Sequence, residues 1–170
     1  MKQPYGKLPD PHSTPEGAIE LQSLWVAQEQ ETHRFLLDDN LLVILGIGNW
    51  RPSSGGPEQV VFDQVEFPLA ALPWFAERLT QYYNEPRLGG ALFKWEESIE
   101  GENLSIYYCF GSTAPDKPGL SLVNNSRACY LSDTSAFPQR LDVSDEMFIE
   151  GGMLKVWQDL AARYSNGEFA

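Results

Sequence analysis

The sequence predicts an α+β fold of two similar halves, each an antiparallel sheet of several strands closed by one amphipathic helix. Three observations carry that expectation. The stretch FPLAALPWFAERLTQYY, Phe67 to Tyr83, is echoed without a gap by FIEGGMLKVWQDLAARY, Phe148 to Tyr164, 81 residues further on. Runs of alternating or continuous apolar residues bounded by turn chemistry precede each copy, which is the pattern of strands. The chain is 170 residues long and 42% hydrophobic, enough for one domain with a sizeable core.

Residues 1–17, rich in Pro and Gly, read as an irregular arm, and residues 18–170 as a single domain with pseudo-repeat halves near 18–88 and 89–165. From Ile19 the chain turns strand-like. Asp38, Asp39 and Asn40 supply a hairpin turn between RFLL and LLVILGIGNW. The loop Arg51 to Glu58 is Pro-, Gly- and Ser-rich, and QVVFDQVEF then alternates as a half-buried strand should. A helix should begin near Leu72, because Pro73 is tolerated in the first turn, where its missing N–H has no partner to lose. Leu72, Phe75, Leu79 and Tyr83, with Tyr82 beside them, form its apolar face, and Asn84 and Pro86 end it.

The second half reads in the same way. ALFKWEESIEGENLSIYYCFG gives two strands turning at Glu100 to Asn103, and LSLVNNSRACYL and QRLDVSDEMF give two more. Gly151 and Gly152 precede a helix whose face is Met153, Val156, Leu160 and Tyr164, stopped by Ser165, Asn166 and Gly167. The helix in each half covers the apolar face of antiparallel strands.

The search for chemistry is mostly negative. His12 and His33 are isolated and read as surface residues, too few for a histidine-based zinc site. Cys109 and Cys129 have no C-x-x-C spacing and read as small buried hydrophobes rather than a disulfide. No dinucleotide, P-loop or nucleophile-elbow motif occurs, and the SSGG loop lacks the Lys and helix of a phosphate cradle. The expectation is therefore a non-enzymatic protein with no catalytic residue, no metal and no cofactor. With no apolar leader and no apolar run near the ~18 residues of a membrane helix, it reads as soluble and cytoplasmic, with no membrane association.

Charge is more informative. Twenty-four acidic against 12 basic residues give a net charge of −12, spread evenly along the chain. A polyanion is repelled overall, and a basic protein partner is favoured. Two acidic groups form the candidate partner-binding surface: Glu96, Glu97, Glu100 and Glu102 on one hairpin, and Asp142, Asp145, Glu146 and Glu150 before the second helix. Neither has the spacing of a calcium loop. Trp25, Trp50, Trp95, Tyr107 and Tyr108 alternate with apolar neighbours and read as core, since a base-stacking platform would come with a basic groove. An exposed edge strand in each half makes a homodimer an option.

The element order, sheet then helix written twice, resembles the Whirly and Pur-type single-stranded nucleic-acid binders, and that resemblance implies DNA or RNA binding. VEFPLAALPWFAERLTQYY, followed by GGALFKWEES and later by LDVSDEMFIEGGMLKVWQDL, resembles small acidic immunity proteins of bacterial polymorphic-toxin systems. That second resemblance implies a cytoplasmic inhibitor that binds and blocks a basic toxin, with no chemistry of its own.

Overall fold

Among the described residues, apolar residues at period two build eight strands, and apolar residues at period 3.6 build the helices that cover them. The computed structural model describes residues 6–85, 94–110, 117–130 and 137–169. Its strands are β1 (Ile19–Val26), β2 (Glu31–Asp38), β3 (Leu41–Trp50), β4 (Gln59–Pro68), β5 (Lys94–Ile99), β6 (Glu102–Phe110), β7 (Pro118–Ala128) and β8 (Pro138–Ser144). They form two antiparallel meanders, β1-β2-β3-β4 and β5-β6-β7-β8. Helix α1 (Leu72–Asn84) follows the first sheet after a 3-10 turn at Leu69–Ala71, and α2 (Asp145–Ile149) and α3 (Met153–Ser165) follow the second. The protein is thus α+β with two similar halves. Pro86, the segment Ala91 to Phe93 and most of the loop from Ser112 lie outside the described residues.

The turns follow local chemistry. Asp39 takes a positive φ of 54° between β2 and β3, and Glu100 and Gly101, at 51° and 80°, make the two-residue β5–β6 turn. Positive φ at both central positions matches the right-handed twist of the flanking strands. α1 begins with Pro in its first turn, as expected, and ends as Glu85 goes extended. QRLDVSDEMF is not one strand: Ser144 accepts a hydrogen bond from the Met147 N–H, capping α2 and ending β8. The paired glycines then separate α2 from α3. Gly152 sits at φ 83°, and a Cβ on Gly151 would come within 2.7 Å of the Met147 carbonyl oxygen, so the tight junction requires both.

α1 and α3 keep the 81-residue offset at both ends, and they pack on one another. Their packing crosses between the halves. Trp157 of α3, fully buried, lies edge-on to Phe35 (5.9 Å) and Phe67 (6.4 Å) and tilted against Phe75 (5.0 Å), all in the first half. Arg163 of α3 donates to the Leu21 carbonyl in β1. In return α1 sends Arg78 over the Trp95 ring of β5 and Tyr83 against Phe148 of α2. One continuous core therefore includes both helices and both sheets. The predicted face residues Leu72, Phe75, Leu79, Met153, Val156 and Leu160 are buried in it, with Tyr82, Tyr83 and Tyr164 at its margin.

The other face of the first sheet holds a second, smaller core of Leu36, Val43, Leu45 and Ile47, which the arm covers with Leu8. Arg34 ties the arm down by donating to the carbonyls of Pro11 (2.6 Å) and Ser13 (3.0 Å) and to Thr14 (2.8 Å), while Glu20 neutralises it. No disulfide joins the two cysteines, Cys109 buried and Cys129 half-buried. The aromatics are less uniformly core than the sequence suggests: Trp25, Trp50 and Tyr108 are exposed, because the first lies on an edge strand, the second at a strand end and the third near the end of β6.

Because Trp157 joins both halves, Trp157→Ala should cost about 3–5 kcal/mol and leave a single unfolding transition. Urea denaturation followed by far-UV circular dichroism and by fluorescence checks this, and coincident midpoints are the expected outcome.

Candidate functional site

β4 is the edge of its sheet and runs beside β8 of the other. Its alternation sends Val65 and Phe67 to the helix side and Phe62, Gln64 and Glu66 to the opposite side. The sequence pattern suggested polar residues facing water there. Instead Glu66 is completely buried and Gln64 is 5% exposed, whereas Val60 and Val61 near the strand start are exposed. The second half supplies the cover.

Every polar group of Glu66 is accounted for. One carboxylate oxygen accepts from Arg127 Nη1 at 2.7 Å, and the other accepts from the Tyr130 hydroxyl and from Gln64 Nε2 at 2.9 Å. Its backbone N–H, which points out of the sheet edge, donates to Gln139 Oε1 at 2.8 Å, and its carbonyl accepts from Asn124 Nδ2 at 2.8 Å. Two amide side chains thus stand in for a neighbouring strand, which satisfies an edge that would otherwise bury unpaired backbone. Arg127 is shared with Glu102, whose two oxygens receive Nε and Nη2 at 2.7 Å each, and these anions raise its pKa, with the Glu102 hydrogen bonds foremost. Burial, then the bond to Glu66, pushes the Tyr130 hydroxyl up, keeping it protonated as a donor.

Beside this network lies a cleft of about 580 Å³ between the halves, walled by Phe62, Tyr107, Tyr130 and Phe137 and edged by Lys7, Asp63 and Arg140. A smaller cavity of about 160 Å³ adjoins it, sharing Asp63, Arg140 and Asp142 and adding Glu29, Glu31 and His33. Arg140 is held by Asp142 at 2.9 Å, and Lys117 bridges Glu29 (3.0 Å) and Glu146 (2.8 Å). His33 is not a surface residue: it is 2% exposed, at the second position of the β2–β3 pairing, with its ring against Gly46. Neither ring nitrogen makes a hydrogen bond, although Glu31 Oε2 stands 3.4 Å from Nε2. The Asp63 side chain reaches solvent, yet its carboxyl is held above the usual range by partial burial and then by the negative charges of Glu31 and Asp142.

The predicted acidic residues do not converge on one surface. Glu96, Glu97 and Glu100 are exposed on β5 and its turn, at the outer edge of the second sheet, Glu96 there paired with Lys94 of the same strand, and Glu150 is exposed after α2. The others have internal commitments: Glu102 to Arg127, Asp142 to Arg140 and Ser121, Asp145 to the Tyr83 hydroxyl at 2.9 Å, and Glu146 to Lys117. Among the described residues no group of three or more His, Cys, Asp or Glu side chains converges as a metal site. No described helix is long and apolar enough to cross a membrane. No known family model matches the chain, and no curated protein shows significant similarity to it.

Two stability outcomes follow from this geometry. Arg127→Ala strands two carboxylates, one completely buried, and should cost about 3–5 kcal/mol; replacing Glu66 and Arg127 together with apolar residues of similar volume should recover much of that loss in the same urea titration. Asp63→Asn should raise the melting temperature at pH 7. The folded-state pKa of Asp63 lies above its unfolded value, so the native state binds the extra proton and the ionised carboxylate opposes folding above that range. The gain should vanish as the pH falls through the ordinary carboxylate range, where both states carry the proton.

Proposed function

We propose that the protein is a non-enzymatic, acidic protein-binding module, an inhibitor of the immunity type that neutralises a basic protein partner. The observation that carries this reading is the disposition of charge. All described Lys and Arg side chains apart from Lys7 and Arg51 lie within ion-pair distance of a carboxylate. The acidic excess therefore faces outward as a net field, and the described surface offers no basic groove to track a phosphate backbone. Glu96, Glu97, Glu100 and Glu150 are the exposed members of the predicted set, placed to steer a cationic partner. A cytoplasmic setting belongs to the same reading.

A second reading has its own support. Two sheet-then-helix units and the exposed rings of Trp25, Trp50 and Tyr108 fit a single-stranded nucleic-acid binder, where unpaired bases stack on aromatics. A gel shift at low salt with single-stranded oligonucleotides separates the two, and absence of a shift removes the second.

The test of the first is capture of the tagged protein's partner from nuclease-treated lysate of its source at low and high salt. The expected result is one basic protein in stoichiometric amount. Its association rate should fall about tenfold or more between low and high salt, and fall further when Glu96, Glu97 and Glu100 are changed together to Gln. Rates indifferent to salt would contradict the electrostatic reading.

A further inference from the structure

We propose that the paired cavities between the two halves form a socket for an arginine side chain presented by the basic partner. This rests on the protein-binding reading and gives it a locus. The smaller cavity brings four carboxylates, Glu29, Glu31, Asp63 and Asp142, around one small space. Two of them are answered, Glu29 by Lys117 and Asp142 by Arg140. Glu31 and Asp63 have no guanidinium or ammonium group within ion-pair distance among the described residues; Glu31 faces only the His33 ring, 3.4 Å away, and Asp63 feels Lys7 and Arg140 from further off.

The second observation is His33. Its imidazole is 2% exposed, lines this cavity, and has no hydrogen bond on either nitrogen. A buried polar side chain without a partner costs free energy and marks a place where a group is missing. Glu31 Oε2 stands 3.4 Å from Nε2 without a hydrogen bond, and with Asp63 also at the cavity the space holds more acceptors than donors, so the group that fits it is a donor of positive charge.

Three features select guanidinium over the other cations. A metal ion would need three donors converging at one point, and the described residues offer no such group. A guanidinium spreads five N–H donors over a rigid plane and can serve separated acceptors at once. The volume, about 160 Å³, is close to the roughly 150 Å³ of a cavity that holds a benzene-sized guest. The adjoining cleft then suits the aliphatic stem, since Phe62, Tyr107 and Phe137 line it. The cleft already receives one cation of the chain itself: the Lys7 ammonium lies 4.8 Å from the centre of the Phe62 ring. The two cavities meet at Asp63, Arg140 and Asp142 beside the edge of β4, so the partner's arginine would round that edge from the Phe62 face and end among Glu31, His33 and Asp63.

The experiment titrates the full chain with three capped tripeptides, acetyl-Gly-X-Gly-amide with X as arginine, lysine or citrulline, at low salt, followed by NMR shifts of the His33 and Phe62 rings. Saturable shifts at these rings with arginine are expected, with citrulline at least tenfold weaker because it keeps the shape and loses the charge. Asp63→Asn and Glu31→Gln should each weaken the arginine peptide several-fold, with melting curves confirming that both variants fold. Equal binding of citrulline and arginine would overturn the socket. So would shifts centred on Glu96 and Glu97 instead of on His33, or stronger binding of lysine than of arginine. If the arginine peptide binds as described and no basic protein is captured, the socket stands and the inhibitor reading fails. If a basic partner is captured and Asp63→Asn and Glu31→Gln bind it with undiminished affinity, the inhibitor reading stands and the socket is wrong.

Discussion

The structure depends on a carboxylate with no access to water. Glu66 is buried at the seam between the halves, and an isolated ion there would cost far more than the fold can offset. It is tolerated because Arg127, Tyr130 and Gln64 meet its oxygens while Asn124 and Gln139 meet its backbone. All but Gln64 come from the second half. Burying the pair contributes less to stability than apolar packing of the same volume could, but its geometry admits one alignment of β4 against β7 and β8. A slip of one residue would turn Glu66 into the helix-side core and Val65 or Phe67 into the network.

The core on the other side of the seam works by shape rather than by charge. Trp157 belongs to the second half by sequence and to the first by contact, set among Phe35, Phe67 and Phe75. Ala76 occupies the corresponding place in α1, 81 residues earlier, and is small and buried. The large residue on one helix and the small one on the other let two similar helices pack closely without competing for the same volume. The halves are alike in plan and complementary in detail, and neither has a complete core alone.

Much of the plan was legible because local chemistry and tertiary structure agree. The helix beginning at Leu72, the Glu100–Gly101 turn and the glycine pair before Met153 are dictated by φ preferences and by proline's missing donor, which neighbours do not override. The site was not legible for the opposite reason. QVVFDQVEF reads as a strand with a wet polar face, and only the arrival of a second sheet, remote in sequence, buries Glu66 completely on that face. His33 follows the same logic, one of four polar residues (Glu31 to Arg34) ahead of an apolar run, indistinguishable in sequence from one at a surface. Gln64 and Glu66, two polar residues on the face opposite Val65 and Phe67, were a signal of sorts, but it becomes specific only with Arg127 and Asn124 set opposite.

The arm has a consequence for how the molecule opens. Chain termini ordinarily exchange their amide hydrogens freely, since releasing them exposes little. Here the Leu8 N–H donates to Gln64 Oε1 at 2.8 Å, Gln64 in turn donates to Glu66, and Leu8 itself closes the outer core of the first sheet. Lifting the arm therefore uncovers apolar side chains and loosens one of the donors that neutralise the buried carboxylate, so local release is coupled to the seam. The amide of Leu8 should therefore exchange with the interior, and residues 6–17 should open as part of the same cooperative unit as the joint they overlie.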